Sequence, residues 1–543
     1  MGGRLIASVP IAISCYPGPL QNAAQCEAVD EGWTSPLFQE LYPLGLSYPT
    51  NNTCPPVNAT AGEVPGTCTL GGNPVYAINA TSNAHVVAAI NFAKKNNVRL
   101  VIKDTGHDIL GRSDGYGSLE IWIHYLRTGL AFQKTFQSTC QATNWTGSAI
   151  SIGGGYTFMD VYPVAKANNV VVVGGGTPSV GALGGWMQGG GHGPASRQYG
   201  LGADQVLSAQ VALADGSIIT ANACQNQDIY YALRGGGPGS YGVVLSTVVK
   251  AHPNVNVQVQ HLAIGPLTTN TSTLLDAITI LYAAYPDLND FGYAGYGSWS
   301  IASPTPLFAS FYQGYVSGTY TFNKDLASAE AAFAPTLAKL LPYNMTSLFI
   351  SVSYVEYPDY WSFYETESGV EGTAGSGAAL GSRLFSRASV SNTTSLRSMI
   401  GVIAGGQYEY TSNNFELVSG GQVFADAADP YSGLNPAWRK AYFSNIVARG
   451  WAPGTAEADK DVVRKDVTYN KVGAMKAQAP DTGAYMNEAD RSDPDWAKSF
   501  YGAHYVPLLA IKTLRDPTSV FYCPTCVGSA AWKEDVTGRL CKA

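Results

Sequence analysis

The chain has 543 residues, of which 45% are hydrophobic and 13% charged, and its formal net charge is −7. This length allows two or more domains with a large core. A nucleic-acid-binding protein would carry a basic patch, and the sequence has no cluster of lysine and arginine. No apolar run approaches the ~18 residues of a transmembrane helix, so composition favours a globular protein with a lightly charged surface.

Cysteines and glycosylation sequons indicate an oxidising, extracellular setting. The close pairs Cys15/Cys26 and Cys54/Cys68 lie in a Pro- and Asn-rich stretch, which predicts disulfides; reduced, buried thiols are the alternative. Residues 3–14 are apolar but short and broken by proline, so we expect a secreted, mature chain from which a leader was removed. The sequons predict N-glycans at Asn51, Asn58, Asn79, Asn144, Asn270, Asn344 and Asn392.

One further cysteine pair has a two-residue spacing that also occurs in metal-binding and redox-active proteins. Cys523-x-x-Cys526 resembles a metal-binding or redox motif. No second pair accompanies it, and no thioredoxin-like strand precedes it. We therefore predict neither activity and expect no metal site in this protein.

Helix and strand patterns divide the chain into four parts. Residues 1–66 are predicted to be an irregular segment packed on the following domain, which spans 67–254. A second domain is predicted over 255–482, and residues 483–543 are expected to return to the first. In chain order, the predicted elements are a helix over 84–96, strands over 98–102 and 118–125, a helix over 157–168, a strand over 170–173, a hairpin over 205–221, a strand over 243–251, and long helices over 271–284 and 323–341.

Four glycine clusters, three of them within 153–191 and one at 235–237, stand at predicted element ends. Glycine lets a backbone approach a bulky anionic ligand and direct its N–H groups at it, and a pyrophosphate is the obvious candidate. No Gly-Lys-Ser/Thr follows, so the pattern is not a P-loop. No Gly-x-Gly-x-x-Gly opens a helix after the first strand, so it is not a Rossmann fingerprint either.

The motifs around these clusters resemble a known family. They are Lys103-Asp104-Thr105-Gly106-His107-Asp108, Gly174-Gly175-Gly176-Thr177-Pro178-Ser179-Val180-Gly181, Gly189-Gly190-Gly191-His192-Gly193 and Tyr485-Met486-Asn487. Together they resemble the vanillyl-alcohol oxidase and p-cresol methylhydroxylase superfamily, and within it the fungal berberine-bridge-enzyme-like oxidases. The resemblance implies an α+β fold: a two-part FAD-binding domain of the p-cresol methylhydroxylase type, and a substrate domain with an antiparallel sheet flanked by helices.

The resemblance implies a flavin held covalently by His107, through an 8α-histidyl bond. Many relatives add a second bond from a cysteine, but the matching position here is Thr177, so a single link is expected. Val180 falls where relatives place a residue that controls oxygen access. The cofactor-binding residues implied are Lys103, Asp104, Thr105, Gly106, His107, Asp108, Arg112, Ser113, Gly176, Thr177, Val180, Gly181, Gly184, Gly190, His192, Gly193, Val243, Tyr485 and Asn487.

The resemblance also implies a catalytic set of Tyr485, His192 and Asn487. Tyr485 would be a base if a nearby cation or hydrogen-bond donor depressed its pKa, and His192 would be that partner or the base itself. Asn487 would bond flavin or substrate. Acidic bases found elsewhere in the family would lie in the middle domain, where no residue can be aligned.

The function implied is that of a secreted FAD-dependent oxidase. Hydride would pass from a small alcohol, an amine or a secondary metabolite to the flavin, and dioxygen would reoxidise it to give hydrogen peroxide. The alternatives are an oxidative cyclase or dehydrogenase of secondary metabolism, and a non-redox binding protein on the same fold.

Overall fold

The computed structural model describes residues 2–46, 53–57, 65–138, 140–143, 145–302, 313–369, 371–375, 377–452 and 455–543. The strands are β1 (Leu5–Ala7), β2 (Tyr76–Asn79), β3 (Leu100–Lys103), β4 (Leu119–Trp122), β5 (Leu130–Gln133), β6 (Ser148–Gly153), β7 (Val170–Val171), β8 (Val206–Ala212), β9 (Ile218–Ala221), β10 (Val243–Pro253), β11 (Val257–Pro266), β12 (Ala294–Ser300), β13 (Gly314–Phe322), β14 (Leu348–Tyr357), β15 (Ala378–Ser386), β16 (Thr411–Leu417), β17 (Ala441–Gly450), β18 (Trp532–Glu534) and β19 (Leu540–Lys542).

Helices lie in many of the connections between the strands. They are α1 (Ala23–Gly32), α2 (Pro36–Gln39), α3 (Asn83–Asn96), α4 (Phe158–Ala167), α5 (Gly185–Gln188), α6 (Ser196–Tyr199), α7 (Gln227–Leu233), α8 (Ser272–Phe291), α9 (Leu326–Leu340), α10 (Tyr360–Phe363), α11 (Arg387–Val390), α12 (Thr393–Ala404), α13 (Gly421–Ala425), α14 (Glu457–Lys465), α15 (Val472–Gln478), α16 (Trp496–Tyr501) and α17 (Tyr505–Arg515).

Two sheets form the first half of the molecule. One has the order β1-β2-β4-β3, in which β2, β4 and β3 run parallel. The other has the order β5-β6-β10-β8-β9, with β7 paired to β10. The predicted hairpin forms between β8 and β9, where Gly216 supplies the left-handed turn conformation at φ +84°.

The second half is built on a seven-stranded antiparallel sheet with the order β14-β11-β13-β12-β16-β17-β15. Helices α8, α12 and α15 pack against it through a core of aliphatic and aromatic side chains. Tyr282 and Tyr285 of α8 meet Phe443 of β17 edge to face, with ring centroids 5.2 and 5.1 Å apart. The α+β class and the antiparallel sheet with flanking helices are therefore confirmed.

The C-terminal segment packs beside the first sheet. Phe521 forms a parallel bridge with Leu100 of β3, and both lie in the core cluster of that sheet. Lys512 of α17 donates hydrogen bonds to Asp516 and to the carbonyl of Ser240. These contacts accord with the predicted return of residues 483–543, whose boundary stays a prediction.

The N-terminal segment is more regular than predicted. β1 pairs antiparallel with β2, and α1 is capped by Asn22, whose side chain accepts a hydrogen bond from the Gln25 amide. Residues 1–66 are therefore not irregular throughout. A three-residue strand carries too short a pattern to recognise, and it forms because an edge of the first sheet is available.

The cysteines form four disulfides. The two predicted pairs, Cys15–Cys26 and Cys54–Cys68, are confirmed. The other bonds are Cys140–Cys224 and Cys523–Cys526. The first of these joins residues 84 positions apart, so sequence spacing could not reveal it.

The predicted glycan sites differ in accessibility. Asn270 and Asn392 are exposed, whereas Asn79, in β2, and Asn344 are half-buried, and glycosylation at all four stays a prediction. Asn51, Asn58 and Asn144 lie outside the described residues. Across the described part of the chain, no helix has the length and apolar character needed to span a membrane.

Candidate active site

A cavity of about 330 Å³ lies where the glycine loops of the first half meet the C-terminal segment. The loop after β3 contributes one wall, α5 with its preceding loop contributes another, and the Pro238–Val244 region a third. The predicted cofactor-binding residues that line it are Asp104, Thr105, Gly106, His107, Asp108, Arg112, Ser113, Thr177, Val180, Gly181, Gly184, Val243, Tyr485 and Asn487.

His107 lies on this cavity within a hydrogen-bonded chain. Its Nε2 atom is 2.8 Å from the Ser179 hydroxyl, which donates to the Glu371 carboxylate at 2.6 Å. Burial lowers the pKa of His107 to about 4. The imidazole is therefore neutral at neutral pH and retains a lone pair for bonding.

A second polar chain crosses the cavity wall. Arg112 forms an ion pair with Asp108 and donates to the Asn487 side-chain oxygen at 2.9 Å. The Asn487 amide nitrogen donates to the Tyr485 hydroxyl at 2.8 Å and to the Gly185 carbonyl at 3.0 Å. Asn487 therefore fixes the C-terminal segment to α5.

Several predicted site residues do not line this cavity. Lys103 is buried elsewhere, where its ammonium donates to Asp114 at 2.8 Å and to the Gly45 carbonyl at 3.2 Å. Gly190 packs on Leu434, Trp438 and Tyr485, and a Cβ at Gly193 would stand 1.6 Å from the Gly174 carbonyl oxygen. These three residues therefore do not line the first cavity, and their cofactor contacts stay predictions.

A second cavity, of about 380 Å³, adjoins the first. Five residues line both of them: Thr177, Val180, Trp186, Tyr485 and Glu488. Gly176 and His192, two of the predicted site residues, line only this second cavity. A molecule here would contact one held in the first cavity.

His192 meets two carboxylates on the wall of the second cavity. Its Nε2 atom lies 3.3 Å from Glu416 Oε2 and 3.3 Å from Glu488 Oε1, and its Nδ1 atom lies 3.1 Å from the Tyr296 hydroxyl. Burial lowers the pKa of His192, but the two carboxylates outweigh it and raise the pKa to about 9. Burial also raises the pKa of Glu416 well above its ordinary value.

Tyr485 does not have the environment expected of a base. Burial and the nearby Glu488 carboxylate raise its pKa well above the ordinary value, although the Asn487 hydrogen bond acts in the opposite direction. His192 meets it ring edge to face at 5.0 Å, without a hydrogen bond between them. The depressed pKa that a base needs is not seen at Tyr485 here, and its role as the base stays a prediction.

Sequence reasoning missed Glu416, Glu488 and Tyr296. Tyr296 of β12 stands directly opposite Glu416 of β16, and Glu488 follows Asn487 in the C-terminal segment. Glu488 had a usable signal, because it is a charged residue beside the Tyr-x-Asn motif. Glu416 had none, since only the register of two middle-domain strands brings it to His192.

The first cavity suits a flat, bulky cofactor with phosphates. A Cβ at Gly184 would meet no atom within 4 Å, so its backbone borders open space that a bound group can approach closely. His107 supplies a neutral imidazole and Arg112 a buried cation on the same walls. These residues fit FAD.

Comparison with known proteins decides the family. Residues 74–222 match the family described as FAD binding domain, and residues 484–528 match the family described as berberine and berberine like. The FAD-linked oxidoreductase hmp9 of Hypomyces subiculosus is 49% identical, over 100% of this chain and 87% of its own length. The chain belongs to the VAO-type FAD-linked oxidoreductases. This VAO-type protein is an FAD-dependent oxidoreductase.

Solved structures agree. The VAO-type flavoprotein MtVAO713 from Myceliophthora thermophila C1 has a TM-score of 0.96 at 48% identity, covering 100% of this chain and 95% of that one. MtVAO615 from the same organism has a TM-score of 0.87 at 30% identity, covering 100% and 96%. A glucooligosaccharide oxidase from Acremonium strictum, at 17% identity and a TM-score of 0.64 over 84% of this chain and 92% of its own, shares the fold.

Proposed function

We propose that this VAO-type protein is a secreted oxidase that removes a hydride from an alcohol carbon of a small organic molecule, with FAD bound covalently to His107. Bound FAD would accept the hydride and pass the electrons to dioxygen, giving hydrogen peroxide. The continuity of the two cavities carries this proposal, because a substrate in the second would lie against the cofactor in the first.

The chain's own residues supply what this reaction needs. His192 and Glu416 would hold the substrate hydroxyl by hydrogen bonds, and the Glu488 carboxylate, which lines both cavities, would accept its proton at the edge of the cofactor cavity. Trp186 lines both cavities, and its indole N–H is bound to the His192 carbonyl at 2.9 Å, so it would form a fixed wall against which the substrate rests. Val180, also on both cavities, would leave room for dioxygen to approach.

A single covalent link is proposed because no cysteine is available for a second. The glucooligosaccharide oxidase is described as carrying a 6-S-cysteinyl, 8α-N1-histidyl FAD. Thr177 lines the cavity here and has no sulfur. Among the described residues, the cysteine outside a disulfide is Cys541, which is exposed near the C-terminus and lines neither cavity.

Secretion is proposed from the disulfides and the exposed sequons. The four disulfides would persist only in an oxidising compartment. Asn270 and Asn392 are the exposed positions at which we expect N-glycans. Peptide mapping with and without glycosidase would test this assignment.

The deciding experiment combines acid precipitation with intact mass. We expect yellow flavin to stay with the precipitated protein and the mass to include one FAD, whereas His107→Ala would release the flavin. Reduced protein should then be mixed with air-saturated buffer, with peroxide measured. Flavin in the supernatant of the native protein would refute the covalent link, and slow reoxidation without peroxide would favour a dehydrogenase.

A further inference from the structure

The cluster of His192, Glu416 and Glu488 brings three ligand-type atoms together from three distant segments. His192 follows the Gly189–Gly191 turn, Glu416 comes from β16, and Glu488 from the C-terminal segment. One ring nitrogen and two carboxylate oxygens all lie within 4.8 Å of one another. A nitrogen with two oxygens is a donor set that divalent transition metals accept.

The distances from His192 to the two carboxylates are compatible with ligands of a shared centre as well as with ion pairs. Charge-assisted N–H···O bonds are about 2.7–2.9 Å long. His192 Nε2 is instead 3.3 Å from an oxygen of Glu416 and 3.3 Å from an oxygen of Glu488. Ligands bound tetrahedrally to zinc at about 2.0–2.1 Å are separated by about 3.3–3.4 Å.

The carboxylates are also short of partners. Glu416 is 6% exposed, and its Oε2 atom makes no hydrogen bond with the described residues; neither does Glu488 Oε2. Within the described part of the chain, their ion pairs are with His192 and not with lysine or arginine. Glu416 is buried and Glu488 is half-buried, and a divalent cation would displace the protons that this cluster holds and occupy the lone pairs of both carboxylates.

The surroundings orient His192 as metal sites require. Tyr296 lies 3.1 Å from Nδ1, so that nitrogen can donate to the phenol oxygen, and the Nε2 atom, which faces the carboxylates, would release its proton on binding a cation. Tyr296 is itself held opposite Glu416 by the β12–β16 register. The His192 ring, through Tyr296, and the Glu416 carboxylate are therefore both positioned by strands β12 and β16.

We propose that His192, Glu416 and Glu488 bind a divalent transition cation, with zinc the best match to one imidazole and two carboxylates. The fourth position would open into the second cavity, which all three residues line. Three protein ligands and an open position are the arrangement of zinc sites that bind a reacting oxygen. We identify this oxygen as that of the substrate hydroxyl, which the cation would bind in place of a shared proton. This identification rests on the proposed function.

Zinc binding to the flavin-loaded protein tests the site. Protein treated with a chelator and desalted would be titrated with zinc chloride by calorimetry, and bound zinc measured by plasma mass spectrometry after gel filtration. We expect about one zinc per chain. Glu416→Gln should abolish this binding, and Tyr296→Phe should weaken it by about 10–100-fold.

Glu367→Gln is the matched control. Glu367 is a carboxylate of the same cavity, but its oxygen bonds Tyr357 at 2.6 Å and lies 3.2 Å from His261, away from the cluster. This variant should bind zinc like the native protein, and flavin absorbance would report correct folding of each variant. Absence of zinc from the native protein, or equal binding by Glu416→Gln, would overturn the proposal. Zinc binding without peroxide release would refute the proposed oxidase function alone.

Discussion

The Nε2 atom of His107 lies 2.8 Å from the Oγ atom of Ser179. Ser179 donates its only hydroxyl proton to Glu371 at 2.6 Å, so its oxygen accepts a proton from Nε2. The Nδ1 atom of His107 therefore carries the lone pair, and it is the atom we expect to bond the flavin. Glu371 also accepts from the Ser179 amide at 2.9 Å, which holds the chain in place.

Breaking this chain should reduce flavin attachment. In Ser179→Ala the imidazole loses its partner and its fixed tautomer, so we expect the covalently bound fraction of FAD to fall several-fold. Flavin in the acid precipitate, compared with total flavin before precipitation, is the measurement. Glu365→Gln, which alters an exposed carboxylate paired with Lys166, is the control. Unchanged attachment in Ser179→Ala would show that the hydrogen bond has no role.

Thr177→Cys should create a second route of attachment. Thr177 and His107 line the same cavity, so a thiol at 177 would face the cofactor that His107 holds. We expect the double variant His107→Ala/Thr177→Cys to keep flavin through acid precipitation, whereas His107→Ala/Thr177→Ser loses it. Release of flavin from both would place residue 177 out of reach of the reactive ring position.

Gly193→Ala should destabilise the protein strongly. A Cβ at Gly193 would lie 1.6 Å from the Gly174 carbonyl oxygen, so two glycine loops would have to separate. We expect a cost of at least about 3 kcal/mol, read as a large fall in Tm. Gly473→Ala in α15, where a Cβ meets no atom within 4 Å, should leave Tm unchanged or slightly higher. A Tm of Gly193→Ala equal to that control would contradict the packing.

His252 should make stability depend on pH in mildly acidic solution. Burial and the nearby Lys250 charge lower its pKa to about 3, and its Nε2 bonds the Gln205 side-chain oxygen at 2.8 Å. The folded state thus favours neutral imidazole, and the unfolded state binds a proton first. Stability from this group is present above about pH 6.5 and is lost towards pH 3, by up to about 1.4 kcal/mol per pH unit.

Denaturant unfolding of the native protein and of His252→Gln between pH 7.5 and 4.5 would measure this effect. Glutamine retains an N–H donor for Gln205 but does not titrate over this range. Tyr199 stacks on the ring at 4.1 Å and Trp145 meets its edge at 5.1 Å, so no carboxylate contact complicates the comparison. We expect a shallower slope for the variant. Equal slopes would show that His252 is protonated without cost in the folded state.

The amino-acid sequence by itself determined the family, the α+β class and most of the cofactor cavity. Those residues lie in short continuous motifs, such as the loop that carries His107 after β3, where local backbone chemistry constrains both position and residue type. The disulfide between Cys15 and Cys26 was predictable for the same reason, because residues that are close along the chain are also close in space.

Only the tertiary structure decided what surrounds His192. Glu416 depends on the register of β16 against β12, and a shift of one residue would turn it to the other face of the sheet. Asp114, in a separate loop, pairs with the Lys103 ammonium and keeps this residue off the wall of the first cavity. Side chains that meet through long-range packing have no characteristic spacing in the sequence. The cluster of His192, Glu416 and Glu488 could therefore be located only in the tertiary structure.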